Sequence, residues 1–186
     1  NLLSKIASAM ILSGGLLMAS SYSVDNAHSN VGFTVKHMMV TNVHGKFTSY
    51  DAKVEFDDAT KTFKKLVANI DTNSIDTGIE KRDNHLRSDD FFAVEKFPKM
   101  TFEMTSYKAD GDDGKMTGNL TIRGITKPVV LEVEDISVLG DKVGFSVEGK
   151  INRQDFDLKW NKAIELGGVA VSDEVKIKVD IEAKKQ

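Results

Sequence analysis

The sequence has no cysteine and only two prolines, Pro98 and Pro128, among its 186 residues. Without cysteine the chain cannot form a disulfide framework, a cysteine-ligated metal site or a thiol nucleophile. It also lacks an excess of basic residues, because the formal net charge is −3. General binding to nucleic acid requires basic patches against the phosphates, so we expect no nucleic-acid partner. Hydrophobic residues make up 40% and charged residues 28%, which is typical of one globular domain.

Long apolar runs are absent except near the start of the sequence, where Ile6–Met18 is mostly apolar. Lys5 precedes this run and the small residues Ala19–Ser21 follow it, a pattern typical of a secretory signal peptide. We therefore expect residues 1–21 to be a signal peptide, residues 22–186 to form the folded domain, and the protein to be exported to the periplasm. The run is short and is interrupted by serine and glycine, so we expect no stable membrane insertion. An anchoring amphipathic helix is the alternative.

Apolar and polar residues alternate with a period of two over most of the remaining sequence. A segment of this kind places its apolar side chains on one face, as in antiparallel sheets that are solvated on one side. Polar turns rich in aspartate and glycine separate several of these segments. The pattern predicts a mainly β protein with eight strands, over residues 31–37, 52–56, 66–71, 100–105, 116–122, 129–134, 143–151 and 175–182.

The alternation disappears between Ile75 and Phe97. Thr77 and Glu80 have the spacing of a capping box, in which each side chain satisfies a free backbone N–H at the start of a helix. The sequence therefore predicts a short helix over residues 78–87, followed by a loop or a second helical turn. Another irregular stretch lies near the end of the chain, where two adjacent glycines would interrupt any helix.

Eight antiparallel strands and one or two short helices fit two architectures. One is a closed barrel, which can hold a single ligand inside eight strands, and the other is a sandwich with a filled core. Large, adaptable side chains such as Phe33, Met100 and Phe102 lie on the predicted inner faces. They fit both a packed core and the wall of a cavity, so the pattern alone leaves the two architectures open.

No arrangement of residues in the sequence is typical of a catalytic or metal site. The four histidines include no pair at helical metal-ligand spacing, so we predict no metal ligands. The Asp110–Gly114 segment begins like a calcium loop, but Lys115 and Thr121 stand where that loop requires glycine and glutamate. There is no Gly-x-Ser-x-Gly nucleophile motif, and we predict no catalytic residue. An enzyme with His28 or His85 as general base, and a module that binds no ligand, remain the alternatives.

Arginine is scarce, because the 25 basic residues include only Arg82, Arg87, Arg123 and Arg153. Lysine covers the surface, so each arginine is expected to have a fixed partner. The arginines fit two roles, as structural ion pairs or as part of a polar mouth that holds the head group of a ligand.

Four blocks of the sequence resemble the YceI-like proteins, and the resemblance extends from about Tyr22 to the end of the chain. The longest block is IDTGIEKRDNHLRSDDFF at residues 75–92, and the others are VDNAHSNVGF at 24–33, GNLTIRGITKPV at 118–129 and INRQDFDLKW at 151–160. Three positions depart from the residue that is frequent in that family. Tyr22 stands in place of tryptophan, Arg123 in place of histidine and Asp157 in place of glycine.

The resemblance implies an eight-stranded antiparallel extended lipocalin-like barrel with one or two short helices. It also implies that a long isoprenoid or another lipid chain binds inside the barrel, with no other cofactor. Many members of the family are exported to the periplasm, and a homodimer is compatible with the resemblance.

On this resemblance the inward apolar faces become the lining of a tunnel and the polar end of the ligand lies at its opening. The expected tunnel lining consists of Phe33, Val35, Met100, Phe102, Met104, Leu120, Phe145, Val147 and Phe156. The expected mouth residues, which would meet the head group, are His28, Arg82, His85, Arg153, Asp155 and Trp160.

Overall fold

A computed structural model describes residues 19–165 and 167–186. Nearly all of the predicted signal peptide lies outside the described residues, so it stays a prediction. The first strand begins at Ser20, two residues before the predicted start of the folded domain. Among the helices of the described residues, none is long and apolar enough to cross a membrane.

Strands dominate the structure, together with one α-helix, α1 (Glu80–Arg87), and three short 3₁₀-helices, Asn26–His28, Thr72–Ser74 and Arg153–Phe156. The strands are β1 (Ser20–Val24), β2 (Asn30–His37), β3 (Thr41–Phe47), β4 (Tyr50–Asp57), β5 (Thr62–Asp71), β6 (Ile75–Asp76), β7 (Lys99–Asp110), β8 (Asp113–Ile122), β9 (Ile125–Leu139), β10 (Lys142–Asn152) and β11 (Val171–Lys185).

The strands close into one antiparallel barrel. Hydrogen bonds connect β1, β4, β5, β7, β8, β9, β10 and β11 in that order, and β11 pairs with β1 again. The three remaining strands extend the barrel along its axis. β2 follows β1 along the same edge of β11, β3 pairs with β2, and β6 pairs with β3. The predicted eight-stranded antiparallel barrel is therefore confirmed, with its first three strands each broken into two pieces.

The predicted strands correspond to β2, β4, β5 and β7–β11, whereas β1, β3 and β6 were not predicted. Gly45 hides the alternation of β3, because it takes the place of an inward apolar residue. The ring of Phe33 fills that place instead, since a Cβ built on Gly45 would lie only 2.2 Å from Phe33 Cζ. β6 has two residues, too few for any periodic signal.

The helix forms where it was predicted, but the predicted capping box is wrong. Ile79 occupies the N-cap position and makes no side-chain capping bond. Thr77 instead donates both its backbone N–H and its hydroxyl to the buried carboxylate of Asp83. This carboxylate lies within the first turn, where the helix dipole favours a negative charge.

Aromatic side chains fill one end of the barrel, which we call the closed end. The ring centroid of Phe63 lies 4.9 Å from those of Phe56 and Phe145 and 5.0 Å from that of Tyr107. Burial raises the pKa of Tyr107 to about 12. Tyr22 packs its ring edge-on against Phe56 at 6.1 Å. Edge-to-face packing of this kind stabilises the cluster beyond the area that it buries.

At the opposite end, which we call the mouth, α1, the irregular segment 88–98 and residues 157–165 and 167–170 lie across the barrel; we call the described part of the last stretch the 157–170 segment. Leu158 is buried among core residues, and Phe92 packs edge-on against Phe47 at 5.8 Å. One end is thus closed by core packing, whereas the mouth is covered by irregular backbone.

Candidate functional site

An apolar cavity of about 200 Å³ lies inside the barrel. Ten of the eleven strands contribute side chains to its wall, and almost all of these side chains are aliphatic, methionine or aromatic. Asp51 and Arg153 are the two charged residues among those that border it. The cavity therefore suits an apolar occupant and presents few partners to water.

The cavity is elongated along the barrel. On β11, alternate residues border it from Val175 to Ile181, a stretch that corresponds to about 20 Å of extended strand. The inward-facing Ile177, Val179 and Ile181 pack against the core yet are only partly buried. We attribute this to their position, since one side of each faces the cavity. The space therefore has the shape of a narrow tunnel.

Small residues leave room for the tunnel. Ala52 and Ala68 are directly paired on neighbouring strands, and both border the cavity. On β8, Gly118 lies under the ring of Phe102, because an added Cβ would fall 2.3 Å from Phe102 Cζ. A ring that lies flat over a glycine covers the wall without projecting into the lumen.

Six of the nine residues predicted to line the tunnel border the cavity, namely Phe33, Met100, Phe102, Leu120, Phe145 and Val147. The other three do not. Val35 pairs with Val175, at the mouth end of the lining on β11. Met104 precedes a β-bulge in β7, where the register shifts. Phe156 lies on a 3₁₀-helix and is fully buried in the core.

Sequence reasoning missed several residues of the wall. Ala52 and Ala68 were passed over because small residues carry no chemical signature. Phe92 follows the predicted helix in an irregular segment, where no periodicity indicates which side chain faces inward. The alternation of β11 was recognised, but the choice of lining residues did not include it.

Arg153 is buried at the mouth with a relative exposure of 3%. Its guanidinium donates hydrogen bonds to four backbone carbonyl oxygens, those of Leu158, Trp160, Val171 and Ser172. Burial lowers the pKa of Arg153 from its usual value. The side chain therefore holds the 157–170 segment against β11, and most of its donors are already engaged.

His85 and Trp160 form an aromatic group with Phe91 on the outside of the mouth. The His85 ring centroid lies 4.7 Å from that of Trp160 and 5.1 Å from that of Phe91. His85 Nε2 also lies 2.8 Å from a carboxylate oxygen of Asp90. Because Arg153 binds the Trp160 carbonyl, the structure brings these three predicted mouth residues together.

The other three predicted mouth residues are placed elsewhere or are engaged. Arg82 donates to the hydroxyl and the carbonyl oxygen of Thr77, and so anchors the backbone before α1. Asp155 is exposed on the last 3₁₀-helix. His28 lies on the 3₁₀-helix between β1 and β2, on the flank of the barrel. It is therefore not at the mouth. The prediction failed because the sequence pattern could not show where the first strand of the barrel is interrupted.

His28 belongs instead to a polar cluster with Asp25 and Glu182. Potential metal-ligand atoms of these residues lie within 4.8 Å of one another, although no metal ligands were predicted. The hydrogen bond between Asp25 and His28 raises the pKa of His28 and lowers that of Asp25. Lys142 Nζ already lies 2.6 Å from Glu182 Oε1, so a cation of the protein itself faces this cluster.

Comparison with known proteins gives the same fold and identifies the family. The model of the YceI-like domain matches residues 22–183. "Protein YceI" of Salmonella newport (strain SL254) is 36% identical over 193 residues, which cover 100% of this chain and 98% of that protein.

Two solved structures share the barrel. A YCEI protein of Campylobacter jejuni is 42% identical with a TM-score of 0.72, over 88% of this chain and 96% of that one. A polyisoprenoid binding domain from Saccharophagus degradans is 17% identical with a TM-score of 0.66, over 90% of this chain and 99% of that one, and shows the fold alone. The sequence motifs, the barrel and these matches agree, and the chain belongs to the YceI-like family.

Proposed function

We propose that this protein binds one long apolar chain in the barrel tunnel and carries it through the periplasm. The ligand class is a polyisoprenoid, an isoprenoid quinone or a fatty-acid derivative. The observation that carries the proposal is the elongated cavity, whose wall is formed by apolar side chains from ten strands. The family resemblance and the name of the Saccharophagus degradans domain support the same ligand class.

The energetics of such binding need no polar contact inside the tunnel. Each CH₂ group that leaves water contributes about 0.8 kcal/mol. A chain of about twenty carbons therefore has a gross driving force on the order of 15 kcal/mol, reduced by the cost of ordering the chain and of association. Affinity then comes from the length of chain enclosed, and the polar end of the ligand remains at the mouth.

At the mouth we propose that the head group meets His85 and Trp160. Trp160 is amphipathic, with an apolar ring and one N–H donor, and such rings suit a boundary between an apolar lumen and water. Arg153 has most of its donors engaged by carbonyl oxygens, so its part is to position Trp160.

We infer a binding protein and not an enzyme. His28 and His85, the candidates for a general base, are not among the residues that border the tunnel. Retaining a chain requires only burial, whereas hydrolysis would require a nucleophile or an activated water beside one of these histidines. Turnover of a prenyl or acyl ester that is lost in His85→Ala would overturn this inference.

The direct test is native mass spectrometry of the protein after purification from the periplasm without detergent. We expect a second species, heavier by one long-chain molecule, and extraction into organic solvent should release that molecule for identification. A bare protein mass, together with no uptake of the fluorescent fatty acid cis-parinaric acid, would contradict the proposal.

A matched pair of variants then locates the chain. Ala68→Phe places a ring in the tunnel and should lower the affinity for cis-parinaric acid at least about tenfold, because it removes volume that the chain needs. Val67→Phe adds the same ring one residue earlier on β5, on the opposite face of the strand. It should bind as the unmodified protein does. Equal affinities in the two variants would place the chain outside the barrel.

A further inference from the structure

The hairpin between β2 and β3 ends in an exposed apolar turn. Met38, Met39 and Val40 have relative exposures of 40%, 59% and 77%. Val169, on the neighbouring 157–170 segment, is 39% exposed. The two segments are joined, since Met38 N–H donates to the Ala170 carbonyl oxygen at 2.9 Å. We call Met38, Met39, Val40 and Val169 the apolar tip.

The backbone of this turn is unusual for the residues it contains. Met38 and Met39 have φ angles of +50° and +60°, and Val40 N–H donates to the His37 carbonyl oxygen. Two successive left-handed residues are ordinarily Asn-Gly or Asp-Gly in such a turn, because a Cβ is disfavoured there. The hairpin turn between β8 and β9, by contrast, places Gly124 at its second left-handed position.

The turn therefore combines a strained backbone with apolar side chains in water. Both features cost free energy, and a hairpin of this shape would avoid both with Asn-Gly in the turn. Strain of this kind persists at sites that contact a ligand or partner, and clustered exposed apolar residues mark interaction surfaces. The two observations are independent, and both point to a surface that is covered by something else.

The position of the tip indicates what covers it. β2 and β3 run past the last paired lining residues and reach the mouth end of the barrel. Lys36 and Lys162 flank the tip, and among the described residues neither forms an ion pair. The described part of the same segment also carries Asp157, Lys159 and Glu165, and His37 is exposed beside the turn.

The connections between strands at the closed end are acidic, although Lys184 and Lys185 of β11 pair with Asp141 and Asp58 there. The segments that connect β4 to β5, β7 to β8 and β9 to β10, with the strand residues at their ends, carry six aspartates against two lysines, namely Asp57, Asp58, Asp110, Asp112, Asp113, Asp141, Lys61 and Lys142. An anionic surface would therefore repel these connections, whereas it would attract the two lysines beside the tip. This asymmetry would orient the molecule with the tip toward such a surface.

We propose that the apolar tip inserts into the headgroup region of an anionic phospholipid bilayer and holds the mouth of the barrel against it. Methionine and valine side chains enter the apolar boundary, while the lysines meet the phosphates. The inference rests on the proposed function, because docking at the mouth lets an apolar chain pass between bilayer and tunnel without crossing water.

The test is binding to vesicles, with the turn rebuilt as an ordinary hairpin. The variant Met38→Asn, Met39→Gly, Val40→Thr removes three apolar side chains and gives the turn residues that favour its backbone. Leu139→Thr is the control, because Leu139 is 82% exposed at the closed end. Cosedimentation is measured with vesicles of phosphatidylcholine containing 30 mol% phosphatidylglycerol and with phosphatidylcholine alone.

We expect the unmodified protein and Leu139→Thr to bind the anionic vesicles. The triple variant should bind at least about tenfold more weakly, because it lacks the apolar side chains whose burial in the bilayer contributes to the free energy of binding. Vesicles without phosphatidylglycerol should bind less of every protein. The triple variant should also unfold at a higher urea concentration, because the strain is relieved, so a loss of binding would not reflect misfolding.

Equal vesicle binding by the triple variant, or none by the unmodified protein, would overturn the proposal. In the second case, sedimentation velocity would show whether the tip instead pairs two copies of the chain, as a dimer that the triple variant loses. Uptake of cis-parinaric acid from solution tests the tunnel without any bilayer. Failure of uptake would therefore overturn the proposed function, and failure of vesicle binding alone would overturn only the docking of the tip.

Discussion

Arg123 Nε lies 3.7 Å from Asp157 Oδ2, and these are two of the three positions at which the chain departs from the residue frequent in its family. Arg123 also donates hydrogen bonds to the carbonyl oxygens of Asp89 and Phe91. It thereby connects the segment after α1 to the segment after the last 3₁₀-helix. Both residues have a left-handed backbone, with φ of 51° and 60°, which explains why glycine is frequent at the position of Asp157.

A double-mutant cycle measures this contact. Asp157→Gly alone should change the free energy of unfolding little, because glycine adopts the left-handed conformation freely and the exposed ion pair is weak. Arg123→His should cost about 1–2 kcal/mol, since it also removes the bonds to two carbonyl oxygens. We expect a coupling of about 0.5–1 kcal/mol between the two changes in urea unfolding. Strict additivity would show that the two residues do not interact.

A second prediction concerns the close approach of Phe33 to Gly45. Gly45→Ala should push the Phe33 ring into the tunnel, because the added Cβ would lie 2.2 Å from Phe33 Cζ in its present position. We expect the affinity for cis-parinaric acid to fall about tenfold, with a stability loss of about 1–2 kcal/mol at most. Gly144→Ala is the matched control, since its Cβ would meet nothing closer than 3.8 Å. A similar loss of affinity in both variants would contradict the prediction.

A third prediction separates two contributions of Arg153, its hydrogen bonds to four backbone carbonyl oxygens and its ion pair with Asp173. Arg153→Lys should destabilise the protein by about 2–4 kcal/mol. A lysine cannot donate to all four carbonyl oxygens, so some of them would remain buried without a hydrogen-bond donor. Backbone amides of the 157–170 segment should then exchange hydrogen faster. Asp173→Asn removes the ion pair with Arg153 and should lower the free energy of unfolding by less than about 0.5 kcal/mol, because the Asp173 side chain is 56% exposed. A large effect of Asp173→Asn would assign the role to charge pairing instead.

A fourth prediction is a dependence of stability on pH. Burial raises the pKa of Asp58, but hydrogen bonds from Lys185 and Tyr22 outweigh it, so the pKa lies below its usual value. A lowered folded pKa contributes stability that is present above the unfolded pKa, near 4, and is lost as the pH falls through the folded value. Asp58→Asn should therefore cost about 1 kcal/mol at pH 7 and progressively less below pH 4.

The control for Asp58 is Asp110→Asn, since Asp110 is an exposed aspartate at the same end of the barrel. Urea unfolding of both variants at several pH values from 3 to 7 checks the prediction. A difference between Asp58→Asn and the unmodified protein that is constant over this range would refute it.

A fifth prediction concerns the release of the bound chain. Phe92 borders the tunnel and packs on Phe47, so it lies across the mouth. Phe92→Ala should accelerate the dissociation of cis-parinaric acid about tenfold, because less apolar surface must separate as the chain leaves. Ile79→Ser alters an exposed residue directly before α1, which also lies at the mouth, and should leave the rate unchanged. Release at the same rate in Phe92→Ala would show that chains leave by another route.

Much of the barrel could be predicted because eight of the eleven strands carry their own alternating pattern. Alternation in β8, where Met116, Gly118, Leu120 and Ile122 face inward, depends only on the period of two in an extended backbone. The turns at Gly111 and Gly140 could also be predicted, because glycine is favoured where a turn needs a positive φ. Both residues have a positive φ in the structure. The capping box failed at Thr77, since Asp83 competed for the same donors once the backbone had folded.

The candidate site was less predictable, because its residues meet through contacts between distant segments. His28 matched a family motif, yet its neighbour Glu182 is far away in sequence, and only closure of β11 on β1 brings them together. The pairing of Arg123 with Asp157 could not be predicted from the sequence either, because two loops must first fold over the mouth to bring these residues together.

By itself, the sequence determined the β content, eight inward apolar faces, the short helix and the family. These follow from local periodicity and from motifs that are continuous in the chain. Only the tertiary structure decided that the faces enclose a tunnel and not a filled core, because that depends on which rings lie flat over glycines such as Gly45 and Gly118. It also decided the place of each polar residue, because the ring of strands sets which distant side chains share one end of the barrel.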